Sequence, residues 1–250
     1  MLELHDEGPI RTLRLARPPV NALHEESLRR LEEAITAAPR AGARGLILTG
    51  SGARFSAGLD VPQLLELDRA GVEAFWRAFF GCLTSLASCP IPVVAAINGH
   101  SPAGGAVLAL YCDRRIMARG DYRIGLNEVQ VGLYPGPVIH RVLARAVGAR
   151  HAAELLATGT LLGPEAALAT GLVDELAEPD ALLGAARAWL GRVLALPPAA
   201  YAATRALVRS DLVALMRDPP GADFAAMRDA WLAPETQRVL RSLFIKPGKG

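Results

Sequence analysis

The chain has 250 residues, 51% of them apolar, and a formal net charge of +2, enough for one large α/β domain with a sizeable core. A near-neutral balance with no basic block gives no footing for nucleic acid, and the composition is not that of a disordered chain. The three cysteines, Cys82, Cys89 and Cys112, match no metal spacing and read as reduced, buried thiols.

The N-terminus lacks a charged segment followed by an apolar one, so no secretion signal is read and the expected setting is cytoplasmic. No apolar run is long and clean enough to span a bilayer. Ile10 to Pro18 alternates apolar and polar residues and predicts a half-exposed strand. A loop follows, then an amphipathic helix with Leu28, Leu31, Ala34 and Ile35 on its apolar face. "RGLILTGSG" predicts a buried strand, and "SAGLDVPQLLEL" a turn into another helix. A longer helix is expected from about Val72 to Ser88, before the strand "PVVAAI". A helix at Gly104 to Tyr111 leads to two short strands in "DRRIMAR" and "YRIGL". Ile139 to Ala188 reads as mostly helical, and a soft boundary near Leu196 separates residues 1–195 from a helical segment, 196–250. That segment carries Pro219-Pro220-Gly221 punctuation and a Lys/Gly tail after Ile245 that is expected to fray. Strands alternating with helices predict an α/β fold, with the sheet covered on at least one face.

Three stretches carry candidate chemistry. In "ARFSAGLDV" the small residues Ser56, Ala57 and Gly58 sit at a strand exit, where the Leu59 N–H is a candidate free donor and Asp60 a helix cap. In "NGHSPAGGAVLALYCD" Gly104 and Gly105 open a helix, whose first N–H groups lack intrahelical partners and favour negative charge. Two such donors together make an oxyanion hole. In "YRIGLNEVQVGLYPG" Glu128 sits among apolar residues, where desolvation would raise its pKa and suit it to proton transfer. Taken singly, each stretch also fits a plainer reading: an ordinary turn, tight helix packing through glycine, a surface glutamate.

These stretches, in this order and with "RPPVNAL" before and "GPEAALATGLVDEL" after them, resemble the crotonase (enoyl-CoA hydratase/isomerase) superfamily. The resemblance implies a spiral of ββα units, a C-terminal helical segment used in trimer contacts, and acyl-CoA thioester substrates. It assigns the oxyanion hole to the N–H groups of Leu59 and Gly104, and contact with the CoA part to the loop of Ser56, Ala57, Gly58 and Asp60. It implies a homotrimer or a pair of trimers, and no cofactor beyond the coenzyme A that arrives with the substrate.

The departures narrow the reaction. Hydratases of this superfamily carry two glutamates; one matches Glu128, while Val107 stands at the other position. Dienoyl-CoA isomerases carry an Asp where this chain has Gly136. One acid–base residue remains, a pattern similar to the mitochondrial-type Δ3,Δ2-enoyl-CoA isomerases of fatty-acid degradation. The competing expectations are a hydratase that recruits another acid and a non-catalytic acyl-CoA-binding subunit. His100, near the second loop, reads as structural, Arg54 as a solvated side chain or a phosphate partner, and Tyr134 and Trp231 as core or acyl-pocket aromatics.

Overall fold

The alternation of apolar residues in the central strands decides how the layers stack. The computed structural model describes residues 2–217 and 221–245; the Pro219-Pro220 pair and the tail after Ile245 lie outside the described residues. In chain order the strands are β1 (Leu2–Glu7), β2 (Ile10–Leu15), β3 (Gly45–Gly50), β4 (Val93–Ile97), β5 (Ser101–Pro102), β6 (Arg114–Ala118), β7 (Ile124–Gly125) and β8 (Glu175–Ala177). Six form one sheet in the order β1-β2-β3-β4-β6-β8, parallel throughout except for the β1–β2 hairpin. β5 and β7 form a separate parallel pair, Ser101 opposite Ile124 and Pro102 opposite Gly125.

Successive side chains on a strand point to opposite faces. Leu46, Leu48, Val93, Ala95 and Ile97 therefore join the larger core, while Ile47, Val94, Ala96, Ile116 and Ala118 join a second one. Helix α1 (Glu25–Ala37) and the 20-residue helix α3 (Arg69–Ser88) belong to the larger core. Both faces are thus buried, which is why "GLIL" and "VVAAI" read as unbroken apolar runs.

Between those two helices the four-residue α2 (Val61–Leu64) is capped by Asp60. α3 starts three residues before the expected Val72, because the Asp68 carboxylate accepts from Gly71 N at 2.8 Å and caps it there. α4 (Gly104–Leu110) runs wholly buried, and a short 3₁₀ helix spans Glu128–Val131. α5 (Gly136–Thr158), broken at Gly148, is followed by α6 (Pro164–Thr170) and α7 (Leu182–Leu194). α7 supplies the cover of the second core through Leu182, Ala186 and Leu190, and runs past the expected limit at Ala188.

The C-terminal layer is α8 (Pro198–Val208), α9 (Ser210–Arg217), α10 (Gly221–Leu232) and α11 (Pro234–Phe244). It shares the main core through Leu212, Met216, Met227, Trp231 and Leu240. Its polar anchor is Asp113, whose carboxylate accepts from Arg205 at 2.9 and 2.8 Å and from Arg209 at 3.1 Å. The same guanidinium groups donate to the carbonyls of Leu86, Ala87 and Cys89 at the end of α3 and of Tyr111 at the end of α4. Two helix C-termini and one carboxylate thus face two buried cations, which balances their charge. No helix among the described residues is long and apolar enough to cross a membrane.

Candidate active site

Asn21, in "RPPVNAL", builds the first loop. Its φ of 54° lies in the left-handed region that Asn tolerates better than most residues. Its side-chain Nδ2 donates to the carbonyls of Ser51 and Arg54 at 3.0 and 2.9 Å, and its Oδ1 accepts from Arg17 N and the Ser51 hydroxyl, both at 3.0 Å. The Ser56 hydroxyl donates to Asn21 O, and Gly58 N donates to Ser56 Oγ at 3.1 Å. Asn98 braces the same loop from β4, donating to Gly52 O at 2.8 Å and accepting from Gly50 N at 2.9 Å. Neither asparagine stood out in the sequence, where the signal is only an Asn in an apolar setting.

Beyond this brace, Leu23 N donates to Gly58 O and Leu23 O accepts from Asp60 N, both at 2.8 Å. These bonds hold one edge of the chain on either side of Leu59, in a parallel bridge, so the Leu59 N–H is turned to the other edge. It has no hydrogen-bond partner among the described residues. Asp60 caps α2 by accepting from Gln63 N at 3.3 Å and pairs with Arg17 at 2.5 Å. Of the loop residues expected at coenzyme A, Ala57 lines the cavity described below, while Ser56 and Asp60 make bonds within the loop and its neighbours.

The second loop comes from β5. Ala103 N donates to Gly125 O at 2.8 Å, and Ala103 takes φ 47°, ψ −122°, a turn that aims the chain into α4. Gly104 is the first residue of that helix, so its N–H has no intrahelical partner, nor any other among the described residues. The two loops touch: a Cβ at Gly104 would lie 3.3 Å from Leu59 Cδ2, and one at Gly105 would lie 2.7 Å from Ser56 O. Gly105 is therefore a packing residue, while Gly104 keeps a free donor beside Leu59.

Both loops open on a cavity of about 220 Å³ that Glu128 also lines. Glu128 begins the 3₁₀ helix after Asn127, and Leu133 N donates to its carbonyl at 2.8 Å. Its Oε2 is buried with no partner among the described residues. Burial pushes its pKa up to about 7, since a carboxylate loses more than a carboxylic acid on leaving water. The other walls are apolar: Val107, Val131, Leu133 and Ile139, with aromatic Trp76, Phe79 and Trp231. Val107 is 2% exposed and brings no second acid. Gly136 has φ 82°, and a Cβ there would lie 3.0 Å from Met227 Sδ, so the backbone itself disfavours an Asp at that place.

Tyr134 and Trp231 both line the cavity. His100 is tied elsewhere: its Nδ1 accepts from Arg123 N at 3.2 Å, and its ring stands edge-on to Tyr122 at 5.5 Å. Arg54 bridges His100 through its backbone. Among the described residues no group of three or more His, Cys, Asp or Glu side chains is placed to hold a metal ion. All three cysteines are buried and unpaired, with burial raising each thiol's pKa and so lowering its reactivity.

The family model for enoyl-CoA hydratase/isomerase matches residues 6–219. A probable enoyl-CoA hydratase of Mycobacterium avium is 39% identical over 198 residues, 78% of this chain and 76% of that one. The mitochondrial enoyl-CoA delta isomerase 1 of Rattus norvegicus is 34% identical over 218 residues, 84% of this chain and 73% of that one. The crystal structure of human mitochondrial delta3-delta2-enoyl-CoA isomerase superposes with a TM-score of 0.92 at 29% identity, covering 97% of this chain and 96% of that one.

Proposed function

From the premise that the chain belongs to the enoyl-CoA hydratase/isomerase family, we propose that it shifts the double bond of a 3-enoyl-CoA to give the trans-2-enoyl-CoA. Glu128 takes a proton from C2 of the acyl group and returns one to C4. Both carbons lie on one short stretch of chain, within reach of a single carboxylate. The charge of the dienolate between the two steps rests on the thioester oxygen, held by the N–H groups of Leu59 and Gly104. Each donor of such a pair is worth about two to three powers of ten in rate. The reaction is a proton transfer within the thioester and calls for no group beyond the coenzyme A of the substrate, whose near end meets the loop at Ala57.

The observation that carries this reading is the solitary acid: Glu128, with a pKa of about 7, in a cavity whose wall holds Val107 instead of a second acid. Hydration needs a water deprotonated while a proton goes to C2, a task better suited to two carboxylates. The acting unit in this reading is a trimer or a pair of trimers. Leu207 and Val208, 73% and 57% exposed side by side at the end of α8, support such a contact.

The test follows the conjugated enoyl-thioester absorbance in two cuvettes. A rise with trans-3-enoyl-CoA and little change with trans-2-enoyl-CoA is the expected result. A fast fall with trans-2-enoyl-CoA means hydration and overturns the isomerase reading. Silence in both means a binding subunit or a different acyl group. Glu128→Gln should nearly abolish turnover while leaving thioester binding in place.

A further inference from the structure

We infer that the acyl pocket is a blind well, ended by the Trp76–Trp231 pair, which sets an upper limit on the length of the acyl chain. This rests on the acyl-CoA reading above and adds the class of acyl group.

The well follows from helical spacing. Trp76 and Phe79 stand three residues apart on α3, and Met227 and Trp231 four apart on α10, so each helix presents a pair on one face. The four residues line the same cavity as Glu128 and the two free N–H donors. The Trp76 and Trp231 rings meet edge to face at 6.5 Å, and Trp76 meets Phe79 in the same way at 5.8 Å. Trp76, Phe79 and Trp231 are 5%, 3% and 1% exposed, so no chain passes them to solvent. Gln237 Nε2 donates to Trp231 O at 2.8 Å, fixing the end of α10 that carries this wall.

The closed end sets the limit. With the thioester carbonyl at Leu59 and Gly104, the acyl chain extends only as far as the Trp76–Trp231 pair, and carbons beyond that reach find no room.

The test is calorimetric binding of saturated acyl-CoAs, which carry no double bond to shift and so report the well independently of isomerisation. Butanoyl-, hexanoyl-, octanoyl-, dodecanoyl- and tetradecanoyl-CoA are titrated into the whole protein. Affinity should rise up to about fourfold per carbon, the equivalent of roughly 0.8 kcal/mol per buried methylene, until the chain meets the aromatic wall, then stop rising or fall before tetradecanoyl. Trp231→Ala should move that break to a longer chain and improve the acyl-CoAs beyond it by at least about tenfold over the wild type. Ala230→Phe, which fills the well from the same helix, should move the optimum to a shorter chain. Wild-type affinity that keeps climbing to tetradecanoyl-CoA overturns the inference, as does a folded Trp231→Ala with the original ranking. If Trp231→Ala does not fold, Ala230→Phe decides: a shorter optimum supports the well and an unchanged one overturns it. Failure of every acyl-CoA to bind overturns the acyl-CoA reading together with the well; binding without a length limit overturns the well alone.

Discussion

The Ser56 hydroxyl donates to the carbonyl of Asn21 at 2.8 Å, and that bond ties the loop that carries Leu59 to a residue 35 positions earlier in the chain. Asn21 holds the same loop through Ser51 and Arg54, yet it does not line the cavity. It acts as a positioning residue for the Leu59 N–H. Asn21→Ala should lower kcat by about two powers of ten, the scale of a displaced oxyanion donor, with a much smaller change in KM. A merely structural role would lower Tm and leave kcat per folded molecule alone, so steady-state kinetics on protein checked by circular dichroism separates the two.

Glu128 must be ionised to accept a proton. With its pKa pushed up to about 7 by burial, kcat/KM should rise with pH through an inflection near that value and then level off. Stability runs the other way. A carboxyl whose folded pKa lies above its unfolded one favours the fold at low pH, and that advantage disappears as pH climbs through the folded value. Glu128→Gln keeps the neutral form at every pH. It should therefore raise Tm at about pH 8.5 by a few degrees, and the gain should vanish near about pH 4. Equal melting points for the two proteins at both pH values would remove the buried charge from this account.

Restoring an acid where the sequence lacks one should fail at Gly136 for reasons of backbone. At φ 82° with Met227 Sδ 3.0 Å from a Cβ position, Gly136→Asp should cost about 1–3 kcal/mol and give no dienoyl isomerisation. Chemical denaturation measures the first and the substrate assay the second. A variant as stable as the wild type would show that the glycine is not held there by conformation.

Much of this arrangement is visible in local sequence because its causes are local. The doubly buried strands show as unbroken apolar runs, and the loop glycines mark where α4 meets the first loop. β1 carries no such pattern because five of its six residues are exposed, and its pairing with β2, Leu2 opposite Leu15 to Glu7 opposite Ile10, holds it in place. The local sequence leaves the state of Glu128 open for another reason. Whether it is a surface or a buried carboxylate depends on a cavity walled in part by Met227 and Trp231, about a hundred residues further along. The loop braces at Asn21 and Asn98 depend likewise on partners that only the fold brings near.

The Asp113 anchor also depends on distant partners, 92 and 96 residues away. The three side chains are 10%, 8% and 6% exposed, for Asp113, Arg205 and Arg209. Asp113→Ala would leave two guanidinium groups buried against helix carbonyls with no full negative charge between them. It would also remove the acceptor for Val93 N, at 2.8 Å, where β4 begins. Breaking a buried pair in this way typically costs about 3–5 kcal/mol, so the variant should unfold at markedly lower denaturant. Neutralising the cations as well, in an Asp113→Leu, Arg205→Met, Arg209→Met triple variant, should recover most of that loss, because it is the stranded charge that costs. A triple variant no more stable than Asp113→Ala would instead assign the anchor's worth to the carbonyl bonds of Arg205 and Arg209 at the ends of α3 and α4.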